Sequence, residues 1–566
     1  MKTYYVYKET FLFKFYKYVF LTKKDKILYW ERDKSDSTQY IPFPDNSQFY
    51  SLCRESREQL EKYYSVFYSF PADRHLFDFI KKSVVNDFRD YYCFRKSIEL
   101  INSSGVGKVI GQNYLQNIYE NNNPRKIFLF LNYLFHLIRF FPYIFKIILI
   151  CFLQNSKDEV PEVIYFKKGA WPDALGINSM KDFFQQKGLS FKGVSFSFSR
   201  LTKKYNIYFI SSFIGSKKAV IISSFHVIKY AFKDLLMFIR LGIPGKLFYS
   251  YLIYSFNALT YMKLGSKVIF GILEKSYCIL MDRYKINGQK ICTFSDGFAF
   301  YPLPGVVYIH SDYFYSMNKM QLSYLSNNQW NFDKIIEVGF IHKNKKAISK
   351  GISKDLVHQI NDFNFVTLVP LSQVQSRFYY PIGLTYIEKF LYSIVEIAKN
   401  NQDDLFIIKE KKGELNQIPN KVIENINKNE NIKIVSIELN NYAHKPTPYY
   451  SNYNHYEDLL QKVNLVISLA FQSTTVWQAL SWKIPAIAYN ESFDRSFLSK
   501  YKYLEVRRGE LENAFNYWKN IDSTGFTDFL QNIDKEINLL NEDGFKNILK
   551  HVSNEAVKLK LSQNGY

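Results

Sequence analysis

The residue types best suited to holding a phosphate group stand together near the C-terminal end of the chain, between a predicted strand and a predicted helix. They are Phe471, Gln472, Ser473, Thr474 and Thr475. Thr475 and Gln478 have the spacing of a capping box, which predicts a helix that starts at Thr475. Free backbone N–H groups, the helix dipole and hydroxyl groups meet at such a start and favour a phosphate. An ordinary capped surface helix has the same pattern, so this segment alone leaves both interpretations open.

Two further polar segments follow predicted strands in the same region. Lys409 and Glu410 stand at the end of one strand, where a lysine can neutralise a diphosphate and a carboxylate can accept sugar hydroxyls. Gln375 and Arg377 follow another strand, and the guanidinium of Arg377 can bind a phosphate through two hydrogen bonds. A solvated charged turn at Lys409 and a helix cap at Arg377 are the structural alternatives.

An alternation of strands and helices positions these three segments. A helix is predicted from about Tyr386 to Asn400, because its apolar residues fall on one stripe. Strands connected in this way form a doubly wound parallel sheet, in which ligands bind beyond the carboxyl ends of the strands. We therefore expect the three segments at one crevice. The predicted strands are Phe365–Leu371, Leu405–Lys409, Ile432–Leu439, Leu465–Ser468 and Ile484–Tyr489.

A second α/β region is predicted from Glu162 to about Glu337, where short β-branched or aromatic runs alternate with amphipathic stretches. Asp296 and Gly297 follow one of these runs, KICTFS, and a later run, GVVYIHS, includes His310. His310 is expected near the same crevice, although a lone histidine is more often structural than catalytic.

The three segments together resemble bacterial polysaccharide-biosynthesis proteins of the PFTS-motif family, which are related to GT-B capsule transferases. The resemblance rests on SQVQSRFYYPIGLTY from Ser372, DLFIIKEKKG from Asp404 and NLVISLAFQSTTVWQALSWKIPAIAYN from Asn464. The Pro-Phe-Thr-Ser that names the family appears here as Ala470-Phe471-Gln472-Ser473, so two of its four positions differ.

This resemblance implies a nucleotide-sugar donor in an interdomain cleft, bound by Arg377, Lys409, Glu410 and residues 471–475. Asp296 stands where related transferases carry the histidine of a Gln-His-Gly, which implies the role of catalytic base. A held aspartate can deprotonate a sugar hydroxyl, although a plain Asp-Gly turn fits as well. Further residues expected at the cleft are Gly297, Gln375 and Gly339, the last in a segment that resembles the crossing between GT-B domains. A simple strand-ending glycine is the alternative for Gly339.

The predicted fold class is α/β, with two Rossmann-like doubly wound domains of GT-B type and an extra N-terminal α-rich region. The predicted divisions are an N-terminal region of unknown role (1–125), an apolar helical segment (126–154), an acceptor-side Rossmann-like domain (160–335), a nucleotide-sugar-binding domain (336–510) and C-terminal helices (511–566) that pack back across both domains.

The amino-acid composition restricts the classes of partner that we expect for this protein. Lysine and arginine exceed aspartate and glutamate by 22 (74 against 52), but the abundance of Lys, Asn, Ile, Tyr and Phe is typical of an AT-rich genome. No nucleic-acid-binding module is recognisable, so nucleic acid is not an expected partner. The cysteines are scattered and have no metal-ligand spacing, and no Asp-x-Asp follows a strand, so we expect neither a metal nor a cofactor beside the donor. The cysteines are Cys53, Cys93, Cys151, Cys278 and Cys292.

The segment Ile127–Leu153 is long enough to span a bilayer, but it contains Arg139, Pro142 and Lys146. A transmembrane helix, a helix pair lying in the membrane surface and a helical lid or core element are the three alternatives. The start of the chain does not resemble a signal peptide. We therefore expect a cytoplasmic protein, with the basic residues before this segment favouring the inner face of the membrane.

The predicted activity is transfer of a sugar from a nucleotide-sugar donor to a cell-surface polysaccharide or its lipid-linked precursor. A nucleotide-sugar epimerase or hydrolase of the same fold is the first alternative, because one architecture can host several reactions. A non-catalytic polysaccharide-assembly protein is the second, because the loop around Gln472 departs from the family pattern.

Overall fold

In the part of the chain that the structure describes, the strands form three sheets of four, six and seven strands, and every strand pair is parallel. The computed structural model describes residues 2–7, 26–29, 39–40, 55, 58–60, 62, 74–83, 107–110, 126–153, 160–168, 176–196, 217–240, 245–271, 277–286, 288–294, 310–318, 331–341, 354–371, 384–410, 420–435, 449–450, 456–469, 474–490, 497–540 and 543–563.

The N-terminal region contains the four-stranded sheet, in the order β3-β2-β1-β4. The sequence analysis predicted an extra α-rich region here, and the described residues contain this parallel sheet in addition to helix. The strands are β1 (Lys2–Tyr7), β2 (Lys26–Tyr29), β3 (Gln39–Tyr40) and β4 (Gly107–Ile110). Residues 74–83 are helical, and we call them the 74–83 segment.

The first Rossmann-like domain contains the six-stranded sheet, in the order β10-β9-β8-β7-β5-β6. The chain reverses its winding direction between β5 and β7, which makes this domain doubly wound. Its strands are β5 (Val163–Lys168), β6 (Phe191–Phe196), β7 (Val268–Gly271), β8 (Lys290–Phe294), β9 (His310–Ser316) and β10 (Asn331–Glu337). Its helices, with the preceding α1, are α1 (Lys126–Leu153), α2 (Gly176–Gln186), α3 (Lys217–Arg240), α4 (Gly245–Lys263) and α5 (Tyr277–Arg283).

Alternating residues of β5 divide the apolar core of this domain between the two faces of the sheet, as the two-residue period of a strand requires. Ile164 and Phe166 join α1, α3, α4 and the 74–83 segment on one face. Val163 and Tyr165 join α2 and the C-terminal helix on the other. The N-terminal region thus shares a core with the first Rossmann-like domain.

The second Rossmann-like domain contains the seven-stranded sheet, in the order β14-β13-β12-β11-β15-β16-β17. Its winding direction reverses between β11 and β15. The strands are β11 (Phe365–Pro370), β12 (Asp404–Lys409), β13 (Ile432–Val435), β14 (Tyr449–Tyr450), β15 (Leu465–Ser468), β16 (Ala486–Tyr489) and β17 (Glu505–Val506). The helices are α6 (Lys354–Asn361), α7 (Leu384–Asn400), α8 (Asn420–Asn427), α9 (Tyr456–Leu460) and α10 (Thr474–Ser481). The predicted fold class of two doubly wound α/β domains is confirmed.

Three helices follow the second domain: α11 (Leu511–Asn520), α12 (Ser523–Ile537) and α13 (Gly544–Gln563). The last of them, α13, returns to the first domain. There the Tyr313 hydroxyl donates to Glu555 Oε2 at 2.9 Å, and Lys560 Nζ lies 3.0 Å from Glu162 Oε1. Helix α13 therefore connects the C-terminal part of the chain to the first sheet.

Helix α1 covers 28 residues and contains Pro142. One side of it is buried against α3 and α4, and the Tyr133 hydroxyl donates to the Phe238 carbonyl oxygen at 2.9 Å. The opposite side is apolar and exposed. In the part of the chain that the structure describes, neither α1 nor any other helix meets the length and hydropathy needed to cross a membrane.

Candidate functional site

The three polar segments predicted from the sequence follow three adjacent strands, β12, β11 and β15. Pro370 of β11 pairs with Lys409 of β12, and Leu368 of β11 pairs with Val466 of β15. Because all three strands are parallel, their carboxyl ends meet at one edge of the sheet. This edge includes the reversal between β11 and β15, the position at which doubly wound sheets bind ligands.

Lys409 and Glu410 are held at this edge by the ends of the strand ladder. The Leu371 N–H donates to the Lys409 carbonyl oxygen at 2.9 Å, and the Glu410 N–H donates to the Val435 carbonyl oxygen at 2.9 Å. The Lys409 side chain is half-buried, whereas Glu410 is fully buried. Lys409 is thus the more accessible of the two charges to a ligand at this edge.

Helix α10 starts at the same edge, after β15. It begins at Thr474, so the capping box predicted at Thr475 is wrong by position: Thr475 lies inside the first turn. The Thr475 hydroxyl instead lies 3.1 Å from the Ser468 hydroxyl, and the Tyr456 hydroxyl donates to the Thr475 carbonyl oxygen at 2.8 Å. The first bond attaches the first turn of α10 to the end of β15, and the second attaches it to α9. The spacing of Thr475 and Gln478 could not distinguish these bonds from a cap.

The remainder of α10 is buried, which fixes the direction of its axis. Val476, Trp477, Ala479 and Leu480 are all in the apolar core between α10 and the sheet. The positive end of the helix dipole is therefore held at the point where the sheet reverses direction. Such an end favours an anion, and a diphosphate is one anion of suitable size.

Several predicted site residues lie outside the described residues: Asp296, Gly297, Gln375, Arg377, Phe471, Gln472 and Ser473. Their roles stay predictions. The strands before them are described, and Asp296 follows the last residue of β8, Phe294, by two positions. Arg377 and Ser473 follow β11 and β15, the two strands of the reversal.

Gly339 lies after β10 and has φ 88°, a conformation that favours glycine. Its carbonyl oxygen would lie 2.3 Å from a Cβ added at Gly544, the first residue of α13. The Gly544 N–H donates to the Phe340 carbonyl oxygen at 3.3 Å, and Asn547 Nδ2 donates to the Val338 carbonyl oxygen at 3.0 Å. The backbone that approaches Gly339 closely is therefore that of α13, while a contact between Gly339 and a donor stays a prediction.

The structure also identifies a residue that the sequence analysis missed, Gly271 at the carboxyl end of β7. A Cβ there would lie 2.4 Å from the Phe166 carbonyl oxygen of β5. β5 and β7 are the two strands at which the first sheet reverses direction, so glycine keeps the backbones close at this second crevice. The run SKVIFGI contained the signal, a glycine that ends an apolar strand.

A second missed feature is a buried polar pair beside β16. Asn490 Nδ2 donates to Glu505 Oε1 at 2.8 Å, and the Asn490 N–H donates to the Val506 carbonyl oxygen at 2.8 Å. Asn490 directly follows β16, so this pair supports the carboxyl edge on the side away from Lys409. The position of Asn490 after an apolar run could have indicated it.

His310 lies at the other edge of the first sheet. We expected it near the crevice, because the run GVVYIHS predicted a strand that ends close to it. In the structure His310 is the first residue of β9. It therefore stands at the amino edge, opposite the carboxyl edge that Asp296 follows in the sequence.

No family model matches the chain, and no curated protein matches it either. Several solved structures match the chain. UDP-GlcNAc 2-epimerase from Neisseria meningitidis bound to UDP-GlcNAc is 11% identical, with a TM-score of 0.42 over 71% of this chain and 100% of its own. Trehalose-6-phosphate synthase OtsA is 10% identical, with a TM-score of 0.39 over 70% and 99%. The wall teichoic acid polymerase TagF is 10% identical, with a TM-score of 0.37 over 77% and 99%.

Proposed function

We propose that this protein is a glycosyltransferase that transfers a sugar from a nucleotide-sugar donor to a cell-surface polysaccharide or its lipid-linked precursor. The observation that carries the proposal is the edge formed by β12, β11 and β15. Three segments whose residue types suit a nucleotide sugar follow these adjacent strands, where a doubly wound sheet binds its ligand. The resemblance to PFTS-motif proteins adds the reaction class.

The donor diphosphate would lie at the start of α10, near Lys409 and Arg377. A lysine, a guanidinium and a fixed helix dipole can together stabilise the negative charge that grows on a leaving diphosphate. A metal is not required by this arrangement. The adjacent pair Asp403-Asp404 cannot supply one at this site, because Asp404 begins β12 at the opposite edge and its carboxylate contacts Lys519 Nζ at 2.6 Å.

The transfer step is a displacement at the anomeric carbon of the donor. The oxygen of an acceptor hydroxyl forms a bond to that carbon, the bond from the carbon to the diphosphate oxygen breaks, and the nucleoside diphosphate leaves. The hydroxyl proton passes to the Asp296 carboxylate, which is the base. The first domain thus provides the base and the second domain the donor site.

A lipid-linked acceptor is favoured by the outer face of the helical layer on the first domain. On α1, Phe135, Ile138 and Phe145 are 61%, 59% and 68% exposed. On the neighbouring α3, Phe225 and Phe232 are 72% and 57% exposed. Several large exposed apolar side chains on two neighbouring helices are typical of membrane or protein contact sites.

Charge favours an anionic membrane as the occupant of this face. α1 contains no aspartate or glutamate, and the only acid of α3, Asp234, is buried in an ion pair with Arg283 at 2.8 Å. Lys229 and Lys233 are exposed on α3 beside the apolar residues. Aromatic side chains flanked by lysines suit a helix layer that lies on an anionic bilayer. We propose peripheral binding at the cytoplasmic membrane surface.

A screen of UDP, GDP, CDP and CMP by thermal unfolding, followed by turnover of the matching nucleotide sugars, tests the donor site. A ligand at one hundred times its Kd stabilises the native state by about 2.7 kcal/mol. The double variant Lys409→Ala, Ser473→Ala should lose most of this stabilisation, and Lys462→Ala should keep it, because Lys462 is exposed before β15 at the opposite edge. Full turnover by the double variant would overturn the site.

Product analysis separates transfer from the alternative reactions. Conversion of the donor without any acceptor, to an epimer or to free sugar, would replace the transferase proposal with an epimerase or hydrolase. Absence of binding to every nucleotide and nucleotide sugar would favour a non-catalytic assembly protein.

A further inference from the structure

A cluster of chemically active side chains lies away from the donor edge, at the amino edge of the first sheet. His75 is on the 74–83 segment, Asp282 is in the last turn of α5, and His310 is the first residue of β9. These residues are far apart in the sequence and come from three separate elements. None of them has a part in the proposed transfer reaction.

The distances among the three side chains match those of a metal site. His75 Nε2 lies 2.9 Å from Asp282 Oδ2, and His310 Nδ1 lies 3.3 Å from the same oxygen. The three ligand atoms all lie within 4.8 Å of one another. Zinc bonds to nitrogen and oxygen are about 2.0–2.1 Å long, so neighbouring ligand atoms of a tetrahedral zinc stand about 3.3 Å apart. Small side-chain movements would bring all three atoms to such a centre.

The second nitrogen of His310 has the partner that a metal-binding histidine usually has. His310 Nε2 lies 2.8 Å from Asp78 Oδ2, and Asp78 is buried, with its other oxygen 3.1 Å from Lys81 Nζ. A carboxylate in this place accepts the Nε2 proton and leaves the Nδ1 lone pair for a metal. Asp78 would therefore orient His310 without touching the ion.

The same geometry requires a positive charge between His310 and Asp282. If Nε2 carries the ring proton for Asp78, the Nδ1 lone pair faces a carboxylate oxygen, and two electron pairs repel each other at 3.3 Å. Either a second ring proton or a metal ion removes this repulsion. His75 brings another imidazole nitrogen to the same oxygen, and two imidazoles with one carboxylate are a typical transition-metal donor set.

An ion can reach the cluster from solvent. The His75 and Asp282 side chains are 29% and 14% exposed, whereas His310 is 1% exposed. The inner ligand is thus fixed by Asp78, and the outer two form the entrance.

We propose that His75, Asp282 and His310 bind one divalent transition-metal ion, with zinc as the best match, and that Asp78 positions His310. The ion has a structural role, because it lies at the edge opposite the crevice. It fastens the 74–83 segment to α5 and β9, and so ties the N-terminal region to the first domain. Metal binding to the native state alone would raise the stability of that connection.

Zinc titration of the full-length protein tests the proposal, after removal of any affinity tag and of bound metal by a chelator. We expect one Zn²⁺ per chain and a higher unfolding temperature with Zn²⁺, but no rise with Mg²⁺. His75→Ala should lower the Zn²⁺ affinity by at least about 100-fold, and Asp78→Asn by about 10- to 100-fold. His358→Ala is the matched control and should bind as the wild type does, because His358 is 83% exposed on α6 and outside the cluster.

Two results would overturn the metal site. One is a wild-type protein that binds no Zn²⁺, which would leave a proton between His310 and Asp282. The other is equal Zn²⁺ affinity and stoichiometry in wild type and His75→Ala, which would place the ion elsewhere. Circular dichroism of each variant with chelator shows whether a loss of binding reflects a loss of fold. If His75→Ala does not fold, cobalt spectra of the wild type decide, since ligation by imidazole gives absorption bands that the aqueous ion lacks.

Discussion

The two Rossmann-like domains differ in what their outer helices present to solvent. On the second domain, α7 buries Phe390, Leu391 and Ile394 against the sheet, and its outward side is largely polar. On the first domain, α1 buries Tyr133 and Phe140 against α3 and α4, yet its outward side carries phenylalanines as well. A helix that only covers a sheet needs one apolar face. A second apolar face indicates a partner.

This contrast suggests that the two domains bind different substrates. On the second domain the outward side of α7 is largely polar, and the proposed donor site lies at the carboxyl edge beside Lys409, which suits a small charged donor. On the first domain the exposed sides of α1 and α3 carry apolar and basic residues, which suits the proposed acceptor at a membrane. The predictions that follow separate these two roles, from the largest expected effect to the smallest.

Replacing the proposed base should stop transfer without disturbing the donor. We expect Asp296→Asn to lower kcat by about 10²- to 10⁴-fold, because general-base catalysis contributes about that much. Donor affinity, measured by calorimetry, should change little, since the donor belongs to the second domain. Asp528→Asn is the control, at an exposed aspartate of α12. Equal kcat in both variants would remove Asp296 from the mechanism.

Truncating one buried ring of α7 should cost more stability than truncating an exposed ring of α1. Phe390 is fully buried, with its ring centroid 5.0 Å from that of Tyr489, so Phe390→Ala should destabilise by about 3–5 kcal/mol. Phe145→Ala should change the free energy of unfolding by less than about 0.5 kcal/mol, because Phe145 is mostly exposed. Urea unfolding measures both. A large cost at Phe145 would mean that its ring is packed within the protein.

The exposed face of α1 should instead control membrane binding. We expect the double variant Phe135→Ser, Phe145→Ser to lower partitioning onto anionic vesicles by about tenfold or more, since burying one such side chain contributes about 1.5–3 kcal/mol. Leu561→Ser removes an exposed apolar residue of α13 and should leave partitioning unchanged. Sedimentation with vesicles of phosphatidylglycerol, and of neutral lipid for comparison, measures the effect. Equal partitioning of the two variants would contradict the membrane face.

The smallest effect concerns α13, which joins the two domains. Burial raises the pKa of Glu162, but the Ser190 N–H and Lys560 outweigh burial and hold it below its usual 4.5. A lowered carboxylate pKa means that the stabilisation is present above pH 4.5 and is lost as the pH falls below it. Wild type should therefore exceed Lys560→Ala by about 0.5 kcal/mol at pH 7, and the gap should close in acid. Thermal unfolding at each pH measures this difference in stability. A difference that grows as the pH falls would contradict the stabilising role of Lys560 beside Glu162.

The sequence predicted the second domain better than the first, for a physical reason. β15 was predicted with the bounds that the structure has, and α7 within two residues of its start, because their apolar patterns have the clear periods of strand and helix. The rule that ligands bind beyond the carboxyl ends of parallel strands then predicted that the three polar segments lie at one edge of the sheet.

The features that were missed depend on contacts distant in sequence. His75, Asp282 and His310 meet only because the 74–83 segment packs against α5 and β9. No local sequence pattern predicts such a long-range contact. The Thr475 hydroxyl could either cap the start of a helix or bind the Ser468 hydroxyl. The spacing of residues in the sequence does not decide between these two partners.

Calorimetric titration of the wild type and Lys409→Ala with the nucleotide sugar that the screen selects tests the donor site most directly. We expect Lys409→Ala to bind at least about tenfold more weakly, which corresponds to about 1.4 kcal/mol, while Lys462→Ala binds as the wild type does. Equal affinity in all three proteins would contradict the assignment of the donor to the edge formed by β12, β11 and β15.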